Sequence, residues 1–84
     1  MIIREIVLNR EDGLNAENAA LLVQTACKFS SSVMIRRGSV FINAKSMMGV
    51  LSLGAARGQI LIFEADGNDE KRAIRSITEL LSME

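Results

Sequence analysis

The chain has 84 residues, of which 49% are hydrophobic and 24% charged, and its 10 basic and 10 acidic residues give zero formal net charge. These values are ordinary for one small globular domain, which we expect to span residues 1–84. The sequence has no basic stripe or tail that would indicate direct binding of nucleic acid or an anionic membrane. No apolar run is long enough to cross a bilayer, and charges at Arg4 and Glu5 do not fit a signal peptide, so we expect a cytoplasmic protein.

The first predicted elements are a strand and a helix. Ile2–Leu8 is rich in β-branched residues and fits a strand, and Asn9–Gly13 is a polar loop that ends in glycine. Asn15 is a good N-cap for the helix that follows. Apolar residues then recur at helical spacing, at Ala16, Ala19, Ala20, Val23, Ala26 and Cys27. Cys27, the single cysteine, therefore cannot form an intrachain disulfide and is expected to be a small core residue rather than a reactive thiol.

A hairpin and a short helix follow. Val33–Arg36 and Val40–Asn43 flank an Arg-Gly-Ser sequence, which predicts two antiparallel strands with glycine in the turn. Ser46 is then an N-cap for the helix Met47–Leu53, which Gly54 closes.

The last part of the chain predicts a strand, a turn and a helix. Gln59–Ala65 is the strand, an Asp-Gly turn follows it, and Asn68 or Asp69 caps the final helix. One face of that helix carries Ala73, Ile74, Ile77, Leu80 and Leu81. The element order is βαββαβα, which predicts an α+β fold: a four-stranded antiparallel sheet with three helices on one face.

The last strand is unusual because it is apolar on both of its faces. Leu61 and Phe63 alternate with Ile60 and Ile62, and Met34 and Phe41 are candidates for the same outer face as the two isoleucines. Loops covering part of the sheet, or scattered surface apolar residues, would explain this pattern. The alternative is a surface for a partner or for a homodimer formed through the sheet face.

Most catalytic chemistry is missing from the sequence. The chain contains no histidine, so it has no imidazole base, no histidine metal ligand and no Ser/His or Cys/His pair. Asp66, Asp69 and Glu70 surround a turn, where a structural role fits better than calcium binding. The glycines form no phosphate-binding motif. We therefore expect no enzyme activity, no cofactor and no metal.

Two segments resemble the phosphocarrier family HPr, which includes the catabolite repression protein Crh. They are Gly13–Val33 (GLNAENAALLVQTACKFSSSV) and Asn43–Gly58 (NAKSMMGVLSLGAARG). The resemblance spans nearly the whole chain and implies an HPr-like open-faced β-sandwich. This is the same architecture that the pattern of strands and helices predicts.

The first of these segments departs from the family where the phosphoryl group is carried. The family's motif is histidine, alanine, arginine and proline, whereas this chain has Asn15-Ala16-Glu17-Asn18. A carboxamide nitrogen cannot hold a labile phosphoryl group, and Glu17 repels an anion that the family's arginine would attract. We therefore expect a protein that is not competent for histidine phosphotransfer. Asn15 is then a helix cap, with or without a contact to a partner.

The second segment matches the family closely around Ser46. The resemblance implies that Ser46 is phosphorylated by the HPr kinase/phosphorylase and that the product binds the catabolite control repressor or a phosphotransferase-system enzyme. An exposed serine at a helix start is physically suited to this modification.

An apolar surface next to Ser46, made of Met47, Met48 and Leu51 with Lys45 beside it, is the expected partner-binding region. Lys45 and Arg57 are candidates to help an anionic partner dock, or are solvated surface charges. The alternative interpretation is that Ser46 is only an N-cap and the methionines are core. The protein would then be a degenerate HPr paralogue that acts as a non-phosphorylated protein-binding scaffold.

Overall fold

A four-stranded antiparallel sheet carries three helices on one face in a computed structural model, which describes residues 1–83. The elements are β1 (Ile2–Val7), α1 (Ala16–Cys27), β2 (Ser32–Arg37), β3 (Val40–Asn43), α2 (Met47–Ser52), β4 (Ile60–Asp66) and α3 (Glu70–Ser82). The strands lie in the order β1-β4-β2-β3. The predicted fold and element order are confirmed, with differences of one residue at several ends. None of the helices within residues 1–83 has the length and hydrophobicity needed to cross a membrane.

The core lies between the sheet and the helices, and the alternation of the central strands builds it. Leu61 and Phe63 of β4 are fully buried beside Val33 and Ile35 of β2, because successive residues of a strand point to opposite faces. The helices complete the core with Ala19, Leu22, Ala26, Val50, Ala73, Ile74, Ile77 and Leu81. The predicted face of α3 is thus confirmed, with Leu80 only partly buried.

The buried face of α1 differs from the predicted one. Leu22 is fully buried, whereas Val23 is only partly buried and Cys27 is exposed. The expectation that Cys27 is a core residue is therefore wrong. The reason is that Ala19, Leu22 and Ala26 sit at spacings of three and four, so they define the inward stripe. Cys27 lies one position, or about 100°, past that stripe.

Asp69 joins the start of α3 to the connection between α1 and β2. It occupies the predicted N-cap position of α3, but its side chain makes no hydrogen bond to that helix. Instead the carboxylate accepts from the backbone N–H groups of Ser30 and Ser31, at 2.9 and 3.0 Å, and from the Ser31 hydroxyl. The Ser31 hydroxyl and these amides lower the pKa of Asp69 to about 2. The charged form of Asp69 is therefore the form that the fold stabilises.

Gly13 allows the loop before α1 to lie directly against the segment after α2. Its φ is +62°, a left-handed conformation. A Cβ atom at this position would stand 2.5 Å from the carbonyl oxygen of Ala55. That same oxygen accepts from the backbone N–H of Leu14 at 2.9 Å. A side chain at residue 13 would push the two segments apart, so Gly13 fixes where α1 begins.

We expect protein stability to fall between about pH 4 and pH 2 in a manner that depends on Asp69. The pKa of Asp69 is lower in the folded protein than its ordinary value of 3.8, so its contribution is present above pH 4 and is lost as acid protonates it. The melting temperature of Asp69→Asn should fall less steeply than that of wild type as the pH is lowered through this range. Some dependence remains, because the pKa of Glu70 is also lowered, mainly by the Gly67 amide.

Asp66→Asn is the matched control, because Asp66 is exposed and its nearest cation is the amino terminus at 3.6 Å. Its melting temperature should fall with decreasing pH as steeply as that of wild type. Equal slopes for wild type and Asp69→Asn would contradict the assigned role of the Asp69 carboxylate.

Gly13→Ala should destabilise the protein by about 2 kcal/mol or more, since it combines an unfavourable φ with a steric clash. Gly38 has the same φ of +62°, but a Cβ atom at that position would meet no other atom within 4 Å. Gly38→Ala should therefore cost only about 1 kcal/mol, the conformational term alone. Urea unfolding midpoints of the two variants measure the difference, and equal losses would show that the contact with Ala55 is unimportant.

Candidate functional site

The start of α1 is closed by its own asparagine residues. Asn15 is exposed, has extended backbone angles and accepts the backbone N–H of Asn18 at 2.9 Å through its side-chain oxygen. This confirms Asn15 as the N-cap. The donor in this bond is a backbone N–H, which a proline at residue 18 would not have. Ala16 and Glu17, between the two asparagines, are exposed.

Asn18 has a structural role that the sequence did not reveal. It is only 7% exposed. Its amide nitrogen donates to the Gly13 carbonyl at 2.7 Å, and its amide oxygen accepts from Arg10 Nε at 2.7 Å. Arg10 also donates to the Leu80 carbonyl of α3 at 3.1 Å. The signal that was available is spacing, because residue 18 stands four positions before Leu22 on the buried stripe.

The cleft in front of this helix start is predominantly acidic. It has a volume of about 200 Å³, and its lining residues are Arg10, Glu11, Asp12, Asn15, Glu17 and Asn18. Three carboxylates thus face one guanidinium, and that guanidinium is already engaged with Asn18 and Leu80. The cleft therefore carries surplus negative charge and contains no histidine.

Ser46 occupies a different environment, at the start of α2. It is exposed, and its hydroxyl oxygen accepts the backbone N–H of Gly49 at 3.2 Å. Asn43 fixes the turn before it, accepting from the Lys45 amide at 2.9 Å and, through its carbonyl, from the Ser46 amide at 3.0 Å. The predicted N-cap is confirmed. The hydroxyl can take a phosphoryl group without the loss of any buried contact.

The residues predicted to form a partner-binding surface near Ser46 divide into two groups. Met48 is 84% exposed and Leu51 41% exposed, so both present apolar area to solvent. Met47 is partly buried and packs against the core. The Lys45 ammonium donates to the Phe29 carbonyl at 2.8 Å, so it also holds α2 against the end of α1. Arg57, the second predicted cation, donates to the Asn9 side chain at 3.4 Å.

The remaining candidate groups have structural contacts. Asp69 bonds to Ser30 and Ser31, and Glu70 accepts the Gly67 amide at 3.1 Å and pairs with the amino terminus at 3.1 Å. Within residues 1–83, no three acidic or thiol side chains form a group that could hold a metal ion.

Comparison with known proteins agrees with this geometry. A family model described as the PTS HPr component phosphorylation site matches residues 2–83. HPr-C-His from Thermoanaerobacter tengcongensis has 41% sequence identity and a TM-score of 0.92, over 96% of this chain and 91% of that one. HPr from Bacillus anthracis has 29% identity and a TM-score of 0.91, over 95% of each chain.

A third similar structure is that of Crh, the catabolite repression protein of Bacillus subtilis, described as a dimer with a swapped domain. It has 33% identity and a TM-score of 0.76, over 96% of this chain and 93% of that one. The family match covers almost the whole chain. The strand order is the one that the resemblance implies, and the two helices begin at the positions that it implies. The chain therefore belongs to the HPr family of the phosphotransferase system.

Proposed function

We propose that this protein is a Crh-like regulatory member of the HPr family that does not carry phosphoryl groups on histidine and is switched by phosphorylation at Ser46. The observation that carries the proposal is the contrast between the two helix starts. At α1, Asn15 is bonded to its own helix in an acidic cleft. At α2, an exposed serine hydroxyl occupies the cap.

Two arguments support the loss of carrier activity: the missing histidine nucleophile and the negative charge at the helix start. HPr-family proteins are phosphocarriers rather than enzymes, and the chain has no histidine to accept a phosphoryl group. Asn15 is not a nucleophile, and its side-chain oxygen already accepts a hydrogen bond. Glu17 places a negative charge in the first turn, where an anion would otherwise be favoured.

The switch at Ser46 rests on the change of surface that a phosphate would produce. Between Asn43 and Gly54 the one charged residue is Lys45, and its ammonium is bonded to Phe29. A phosphoserine would add roughly two negative charges beside Met48 and Leu51. The helix would accept it, because the Gly49 amide already donates to the serine oxygen. The surface would then combine an anion with exposed apolar area.

The partners follow from this surface and from the family. The HPr kinase/phosphorylase would modify Ser46, and the phosphorylated surface would bind a catabolite control repressor or a phosphotransferase-system enzyme in the cytoplasm. The protein itself would neither catalyse a reaction nor contact nucleic acid or membrane. A cofactor or metal forms no part of this mechanism.

Two observations support a second candidate, a scaffold that binds proteins without phosphorylation. Met48 and Leu51 are exposed whether or not Ser46 is modified. The outer face of the sheet is also apolar, with Ile3, Phe41 and Ile60 each more than half exposed, so a homodimer through this face belongs to the same hypothesis. A pull-down that is unchanged by Ser46→Asp would favour the scaffold over the switch.

Incubation with an HPr kinase/phosphorylase and ATP should add one acid-stable phosphate to the wild-type chain, detected by intact-mass spectrometry. Ser46→Ala should gain none. Ser52→Ala is the matched control, because Ser52 is an exposed serine of the same helix, and its hydroxyl donates to the Gly49 carbonyl at 2.6 Å. It should be phosphorylated like wild type. A phosphate that survives Ser46→Ala would remove the proposed switch.

The wild-type chain should gain no acid-labile phosphate from phosphoenolpyruvate and enzyme I. Asn15→His together with Glu17→Arg should gain one, since the pair supplies a nucleophile and neutralises the surplus negative charge of the cleft while Asn18 still holds the loop. Asn15→His alone should react roughly tenfold or more slowly, because Glu17 still repels the donor. Phosphorylation of the wild type in this assay would show that another residue carries the group.

A further inference from the structure

The edge strand β1 is a feature of the fold that the proposed function does not use. It lies at one end of the sheet and pairs with β4 along one side. Within residues 1–83, no other segment forms backbone hydrogen bonds to its second side over Ile2–Val7. Unpaired N–H and C=O groups along an edge strand are a template on which an extended peptide can add as a further strand.

A groove with surplus positive charge runs beside this edge. It lies between β1 and α3, has a volume of about 360 Å³, and is lined by Arg4, Lys71 and Arg75 over the apolar surface of Ile2 and Ile74. Within the described residues, none of these three cations forms a salt bridge or a hydrogen bond. Among the described residues of the lining, Glu79 is the one carboxylate, so three positive charges meet one negative charge there on a molecule of zero net charge.

The two faces of β1 present different chemistry to an added strand. Residues at even positions, including Ile2 and Arg4, line the groove on the helix side of the sheet. Residues at odd positions lie on the outer face, where Ile3 is 57% and Val7 50% exposed and the exposed Glu5 stands between them. Because side chains alternate along a strand, a neighbour of β1 would place every second residue beside the cations and the others on the outer face, beside Ile3, Glu5 and Val7.

We propose that β1 binds an extended segment of another protein in which acidic and apolar residues alternate, taken up as a fifth strand of the sheet. Its backbone pairs with β1, its carboxylates meet Arg4, Lys71 and Arg75, and its apolar side chains lie beside Ile3 and Val7.

The positive charge that β1 itself carries at Arg4 argues against a second copy of this chain as the added strand. The β1 strand of another molecule would place its own Arg4 on the helix side, next to three cations. Like charges on neighbouring strands are unfavourable. An inward-pointing charge is a common defence of an edge strand against indiscriminate pairing, and here it selects a partner of opposite charge.

The test uses a fluorescein-labelled peptide with the sequence Val-Glu-Val-Glu-Val-Glu-Val and fluorescence anisotropy with the full chain. Wild type should bind it, and should bind the same peptide with lysine in place of glutamate at least about tenfold more weakly. Lys71→Glu with Arg75→Glu, both exposed positions, should weaken binding of the acidic peptide by a similar factor. Lys28→Glu, an exposed cation at the end of α1, is the control and should bind like wild type.

A second peptide separates strand addition from simple charge attraction. N-methylation of alternate residues keeps every carboxylate but removes backbone donors, so binding should be lost. Hydrogen exchange of the β1 amides that do not bond to β4 should slow when the unmodified peptide is added. Equal binding of the N-methylated peptide, or unchanged exchange in β1, would each overturn the proposal. So would a dimer in sedimentation together with slow exchange, in the free protein, of the β1 amides that do not bond to β4.

Discussion

The buried carboxamide of Asn18 holds together the three parts of the molecule that meet at the start of α1. It bonds to the Gly13 carbonyl before the helix and to Arg10, which in turn bonds to Leu80 of α3. A buried amide left without these partners would cost about 1–3 kcal/mol. The loop before α1 is therefore an integral part of the fold.

The starts of α1 and α2 differ in their local charge. The cleft at α1 gathers three carboxylates around an arginine that is already engaged. The start of α2 has Lys45 as its nearest charge in sequence and exposes apolar side chains instead. The groove beside β1 is basic. A net charge of zero conceals this separation, since the total does not show where each sign lies.

Local patterns in the sequence predicted much of the fold and part of the site. The caps at Asn15 and Ser46 depend on residues three positions apart, and the buried face of β4 follows from simple alternation. The burial of Asn18 and the exposure of Cys27 follow from the spacing of Leu22 and its buried neighbours in α1, once the inward face is placed correctly. Two features could not be predicted in this way: the contacts of Asp69 with Ser31 and of Lys45 with Phe29. Each depends on how elements distant in sequence pack against one another, and periodicity within one helix does not contain that information.

The cap at Asn15 also limits which residues this loop accepts without loss of stability. The bond depends on the backbone N–H of residue 18, and a proline there would remove both that donor and the buried carboxamide. A histidine at residue 15 would lack the side-chain oxygen that accepts the N–H of residue 18. Each of these single exchanges removes the hydrogen bond that closes the start of α1, so each lowers the stability of the helix start.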